Sequence, residues 1–153
     1  MEESTIKVRN ALEKQGIKLE VLEFDASTRT AQMAADALEC ELNQITKSII
    51  LKAEDSEAIL VLTAGGNRVD MEVVAEKLGK KVKLADPEFV FEKSGFKVGG
   101  VSPVGLKEDI MTFIDSTLIG YEDIYPAAGT AHACFKITSK KLQEITGAKI
   151  IEF

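Results

Sequence analysis

Residues 46–67, TKSIILKAEDSEAILVLTAGGN, decide the architecture. Two runs rich in β-branched and aliphatic residues, TKSIILKA and AILVLTAGGN, flank the polar tetrapeptide EDSE, the pattern of a β-hairpin. On both sides of it the periodicity turns helical. In AQMAADALEC (31–40), Met33, Ala34, Ala37 and Leu38 share one face of a short amphipathic helix. Residues 70–78 repeat the spacing with Met71, Val74 and Leu78, and Gly79 serves as C-cap. KVKLA (81–85) is a short strand, and DPEFVFEKSG (86–95) has Asp86 at the N-cap, Pro87 at N1 and Gly95 after the last turn.

Further out, residues 4–15 place Ile6, Val8 and Leu12 on a helix stopped by Gly16. IKLEVLEF (17–24) alternates as a half-buried strand, and DASTRT (25–30) is a loop with several side chains able to cap the next helix. Toward the C-terminus DIMTFIDSTL (109–118), YEDIYPAAG (121–129) and AHACFKI (131–137) read as strands. Thr138 or Ser139 caps a helix through Ile145, and AKIIEF (148–153) is a last strand. Helices and strands are mixed without strict alternation, which predicts an α+β fold with a mixed sheet. No linker, low-complexity tract or repeat divides the chain, so residues 1–153 are expected to form one domain.

Composition narrows the function classes. A chain of 153 residues, 45% hydrophobic and 29% charged, can bury one sizeable core. No apolar run approaches the roughly 20 residues that span a bilayer, and MEESTIKVRN lacks the apolar core of a signal peptide. Cytoplasmic localisation without a membrane partner is therefore expected, with Cys40 and Cys134 as reduced thiols. Nineteen basic against 25 acidic residues give a net charge of −6, which argues against broad binding to nucleic acid such as DNA. Lys77, Lys80, Lys81 and Lys83 form one basic cluster, readable as solvated lysines at a helix end or as part of a local groove. Lys93 and Lys97 bracket the entry to the next stretch.

That stretch is GFKVGGVSPVG (95–105), five of whose eleven residues are Gly or Pro. It carries almost no side chain for acid–base work, so any function falls to its main-chain N–H groups, which can face a phosphate, a ribose or an oxyanion. The plain alternative is a tight turn. A second small-residue loop, PAAGTAH (126–132), follows a later strand. Lys47, at the start of an apolar strand, must reach solvent or an anionic partner. Ser48 adds a hydroxyl on the other strand face. His132 is the chain's single histidine, and on an alternating segment it is a structural residue first. Three Cys and His residues without a Cys-x-x-Cys make no zinc site. Walker and Rossmann loops are absent, as is a nucleophile elbow.

Taken in order, AQMAADALEC with QITKSIIL, then GGVSPVG, then AAGT resemble the YbaK family. These are free-standing aminoacyl-tRNA deacylases related to the editing insertion domain of bacterial prolyl-tRNA synthetase. The similarity runs from about Thr28 to the C-terminus. It implies a mixed, partly barrel-like β-sheet flanked by helices. It also implies hydrolysis, without metal or cofactor, of a mischarged aminoacyl-tRNA, most simply tRNA(Pro) carrying Cys, Ala or Ser. A synthetase is an implied partner. Lys47 matches the family lysine expected at the phosphate or ribose of the terminal adenosine, and Ser48 keeps the hydroxyl of the threonine that usually follows. Gly99, Gly100, Val101, Ser102 and Pro103 fit the Gly-x-x-x-Pro loop expected at the amino-acid end. Gly129 and Thr130 fall in the second glycine loop, and His132 stands near a histidine used by prolyl-synthetase editing domains.

An aminoacyl ester is activated already, so a positioned water and N–H groups at Gly100–Ser102 holding the oxyanion would suffice. Val101 would favour alanine, and Ser102 a hydroxylated amino acid. Two other readings stand beside this one. They are a non-catalytic module binding the tRNA 3′ end or an aminoacyl nucleotide, and a small-molecule hydrolase or binder.

Overall fold

The computed structural model describes residues 2–18, 20–24 and 30–153. Leu19 and all of the DASTRT loop but Thr30 lie outside the described residues. The predicted hairpin is the centre of the fold: β2 (Ile45–Ala53) and β3 (Ala58–Ala64) pair antiparallel from Thr46–Ala64 to Lys52–Ala58. All seven residues of β3 are buried, because apolar groups cover both faces of the sheet. Leu60 and Leu62 enter the larger core with Val8 and Leu12 of α1 (Glu3–Lys14) and with Phe89 and Val90 of α4 (Pro87–Ser94). Ile59 and Val61 enter a smaller core with Val74 of α3 (Met71–Leu78).

Beyond β3 the sheet continues in parallel through β5 (Met111–Asp115) and β9 (Lys149–Ile151). The other edge of β2 is shared by two short strands. β6 (Asp123–Pro126) runs parallel to it at Ile45–Thr46, and β4 (Val82–Leu84) antiparallel at Leu51–Ala53. β8 (Ile137–Thr138) extends β6, while β1 (Val21–Glu23) pairs with β7 (Ala133–Phe135) as a ribbon. A bridge between Ala127 and Cys134 joins the ribbon to the end of β6 and curls the sheet into a half-barrel flanked by helices, as expected.

Three local readings change. DIMTFIDSTL does not stay extended: the Asp115 side chain accepts from Thr117 N and starts the short helix α5 (Ser116–Ile119). AHACFKI divides between β7 and β8, which belong to different sheets. In α2 (Ala31–Leu38) the inward face is Ala31, Ala34, Ala35 and Leu38, while Met33 and Ala37 are exposed. The helix lies on β2 and the turn at Leu42–Gln44, so docking direction rather than periodicity chose that face. Caps elsewhere follow expectation, with Gly79 ending α3, Asp86 capping α4 and Thr138 capping α6 (Ser139–Thr146); Asp70 caps the start of α3 as well. Of the clustered lysines, Lys80 closes the hairpin turn through Asp55 and Glu57 at 2.7 and 3.0 Å.

Candidate active site

Between β6 and β4 the edge of β2 has no strand partner among the described residues. Ile50 O accepts from Ala85 N at 3.3 Å on that edge, so the N–H and C=O of Ser48, two residues earlier, point the same way. A cleft of about 620 Å³ occupies the gap. Because it opens along a strand edge, side chains from both faces of β2 reach it. Lys47 stands on the face opposite Ser48, yet both line the cleft.

Lys47 is half-buried, and its Nζ donates to Asn67 O at 2.6 Å. Burial lowers its pKa, Arg68 lowers it further, and Asp115 opposes both. Asn67 is held in turn, its Nδ2 donating to Asp115 Oδ2 at 2.9 Å and to Thr117 Oγ1 at 3.1 Å. Ser48 Oγ is buried without a hydrogen-bond partner among the described residues. An orphaned hydroxyl beside a cleft is a group that a ligand can satisfy.

The two small-residue loops meet at the cleft, and their residues divide into lining and supporting sets. Gly99, Val101, Thr130 and His132 line it. Gly100 is where the loops touch, since a Cβ there would stand 2.8 Å from Thr130 Cα and 3.0 Å from Gly129 O. Its N–H donates to Lys97 O at 2.9 Å, so the turn itself consumes that donor. Ser102 is fully buried, and its Oγ accepts from Val104 N at 3.1 Å. Pro103 lines a separate depression beside Lys7 and Lys107. Gly129, at φ +94°, backs onto α1, where a Cβ would meet Ser4 O at 2.6 Å. His132 is exposed. Its N–H donates to Thr130 Oγ1 at 3.2 Å, and its carbonyl accepts from Phe24 N at 2.7 Å.

Apolar groups that sequence reasoning did not single out form the remaining wall: Ala34, Ile45, Ile50, Val90 and Ala133. They come from four separate elements, so no local motif announces them. Cys134 also lines the cleft, but burial pushes its thiol up to about 12, and burial raises Tyr125 as well. Neither is an activated nucleophile. Cys40 and Cys134 are both free thiols. No group of three or more His, Cys, Asp or Glu able to hold a metal ion occurs among the described residues. Among the described residues the arrangement offers one cation, hydroxyls, an imidazole and main-chain groups around a small apolar chamber. It suits a ligand with an anionic or hydroxylated end and a compact apolar end.

Comparison with known proteins gives consistent matches. A family model described as an aminoacyl-tRNA editing domain matches residues 25–145. The crystal structure of a candidate trans-editing enzyme for prolyl-tRNA synthetase superposes with a TM-score of 0.94 at 39% identity, covering 99% of this chain and 97% of that one. YwhH of Bacillus subtilis, an uncharacterised protein, is 30% identical over 131 residues, 86% of this chain and 83% of its own. EbsC of Enterococcus faecalis, a candidate Cys-tRNA(Pro)/Cys-tRNA(Cys) deacylase, is 22% identical over 124 residues, 80% of this chain and 76% of its own.

Proposed function

The chain belongs to the aminoacyl-tRNA editing domain family, and on that footing we propose that it is a trans-editing deacylase, hydrolysing the ester of a mischarged aminoacyl-tRNA. The observation that carries this reading is the interrupted edge of β2, with the Lys47 ammonium, the Ser48 main chain and both glycine loops around one cleft. In the reaction water adds to the ester carbonyl carbon. The bond to the ribose oxygen then breaks, and that oxygen leaves with a proton as the terminal ribose hydroxyl. Lys47 holds the phosphate or ribose of the terminal nucleotide. The main chain at Gly99 and Val101 faces the carbonyl oxygen as negative charge develops on it.

The hydrogen bonds narrow the set of reacting groups. Gly100 spends its N–H on Lys97, and Ser102 turns its hydroxyl to Val104, so both act as supports of the loop. Pro103 and Gly129 hold the two loops from behind. The chamber by Ala34, Ile50 and Val101 fits a small amino acid such as Ala, Cys or Ser, carried on tRNA(Pro). Thr130 and His132 border it. The reaction proceeds by positioning and electrostatics and needs no metal, so activity should persist in EDTA; loss restored by one divalent ion would reverse that part.

The test is a deacylation panel: tRNA(Pro) charged with Ala, Cys, Ser or Pro, beside seryl- and threonyl-tRNAs, with wild type and Lys47→Ala. Rapid loss of one ester, reduced at least a hundredfold by the substitution, is expected. Hydrolysis at background for every ester, with tRNA still bound, would instead identify a module that binds the 3′ end.

A further inference from the structure

We propose that Asp115 is a positioning residue for Lys47, acting through Asn67 and across Thr63 to fix the ammonium at the cleft and supply its counter-charge. The inference rests on the role given to Lys47 above. Lys47 stands directly opposite Thr63 on β3. Leu62 pairs with Ile114 on β5, so the next residues, Thr63 and Asp115, continue the row. Lysine, threonine and aspartate therefore lie side by side on one face of three adjacent strands. At a strand spacing of about 4.8 Å, the outer two backbones are roughly 10 Å apart.

The bridge closes that distance. Asp115 Oδ2 accepts from Asn67 Nδ2 at 2.9 Å and from Ala64 N at 3.0 Å, and Oδ1 accepts from Thr117 N at 3.0 Å. Asn67 O then takes the Lys47 ammonium at 2.6 Å. All three contacts to the carboxylate are N–H donors, the pattern an ionised side chain accepts. Only 1% of Asp115 is exposed, and among the described residues it makes no direct ion pair. Between the two charges lies Thr63 Oγ1, buried and unpartnered. Capping α5 explains the contact with Thr117 N. It does not explain a carboxylate clamping the turn whose carbonyl holds the lysine. The surrounding turn is tight: Gly66 N donates to Asn43 Oδ1 at 2.8 Å, which limits any drift of Asn67.

Among the described residues Lys47 has Arg68, Asp115, Tyr125, His132 and Cys134 as its titratable neighbours around the cleft and turn. Replacing Asp115 with Asn removes the anion that, among the described residues, favours the charged lysine. The midpoint of Lys47 should then fall, and an activity needing the ammonium should decline at lower pH than in wild type.

Lys47 is followed by NMR in protein carrying 13C at lysine Cε, with Lys47→Ala to assign the signal, in wild type and Asp115→Asn. A lower Lys47 midpoint in folded Asp115→Asn, with the alkaline fall of kcat/KM displaced in the same direction, is expected. An unchanged midpoint would reduce Asp115 to a cap of α5. Asn67→Ala, in a surface turn, covers the case in which Asp115→Asn does not fold. It should lower kcat/KM roughly tenfold through loss of the bridge, and unchanged kcat/KM would overturn the proposal. The lysine titration needs no turnover, so a shift of the midpoint without deacylation would count against the deacylase reading and leave this inference standing.

Discussion

Among single residues, Lys47 and Cys134 border the same cleft and are affected by burial in different ways. For Lys47 burial lowers the pKa and Asp115 opposes it, so the charged form fails sooner on the alkaline side than an exposed lysine would. For Cys134 burial raises the thiol to about 12, which leaves on the order of one ten-thousandth of it as thiolate at pH 8. Iodoacetamide at pH 8 should therefore alkylate the less buried Cys40 well before Cys134, read by peptide mass spectrometry. Equal labelling rates would contradict the packing of β7. Gly129 is constrained by its backbone and by the helix behind it. At φ +94°, with Ser4 O where a Cβ would go, Gly129→Ala should cost about 1–3 kcal/mol in urea unfolding and loosen the second loop. Of these features the sequence shows the lysine, the thiol and the glycine, but not Ser4, which lies far away in the chain.

Among the elements, helices with complete caps were the most legible. Thr138 accepts from Lys141 N at 3.2 Å at the start of α6, and Thr138→Ala should destabilise the protein by about 1 kcal/mol, measured as a lower urea midpoint at constant m-value. A larger loss would mean that Thr138 matters more to β8, in which it also lies. β5 shows where local pattern falls short. DIMTFIDSTL reads as a strand through Leu118, but the Asp115 carboxylate turns the chain into α5 and clamps Asn67 as well. In α2 the spacing shows a helix but groups Met33 and Ala37 with Ala34 and Leu38 on one face, and the structure leaves Met33 and Ala37 exposed. Contact with β2 selects Ala35 for burial and leaves Met33 42% exposed.

Across the whole molecule, two cores lie on opposite faces of one sheet, and the cleft sits where that sheet is interrupted. Phe113 anchors the smaller core at 2% exposure. Phe113→Ala should cost about 3–5 kcal/mol, and it tests whether that face supports the sheet or merely covers it. Net charge bears on substrate capture. With −6 overall, affinity for tRNA should come from few phosphate contacts and weaken only modestly with salt, each contact adding about 0.7–0.9 to the slope of log K against log salt. A slope of five or more would reveal a basic track that the cleft does not include.

The sequence by itself determined the order and type of nearly every element, because caps, breakers and apolar periodicity act within a few residues of where they are written. It also carried the family, through short motifs kept in order. Only the tertiary structure decided that β4 and β6 leave the edge of β2 open between them. It alone separated the loop residues that face the cleft from Gly100, Ser102, Pro103 and Gly129, which hold the loops in place. The Lys47–Asn67–Asp115 link depends on it equally. Each of these is a contact between strands or turns distant in the chain, and pairing across a sheet is set by which surfaces bury together, a quantity no local stretch contains.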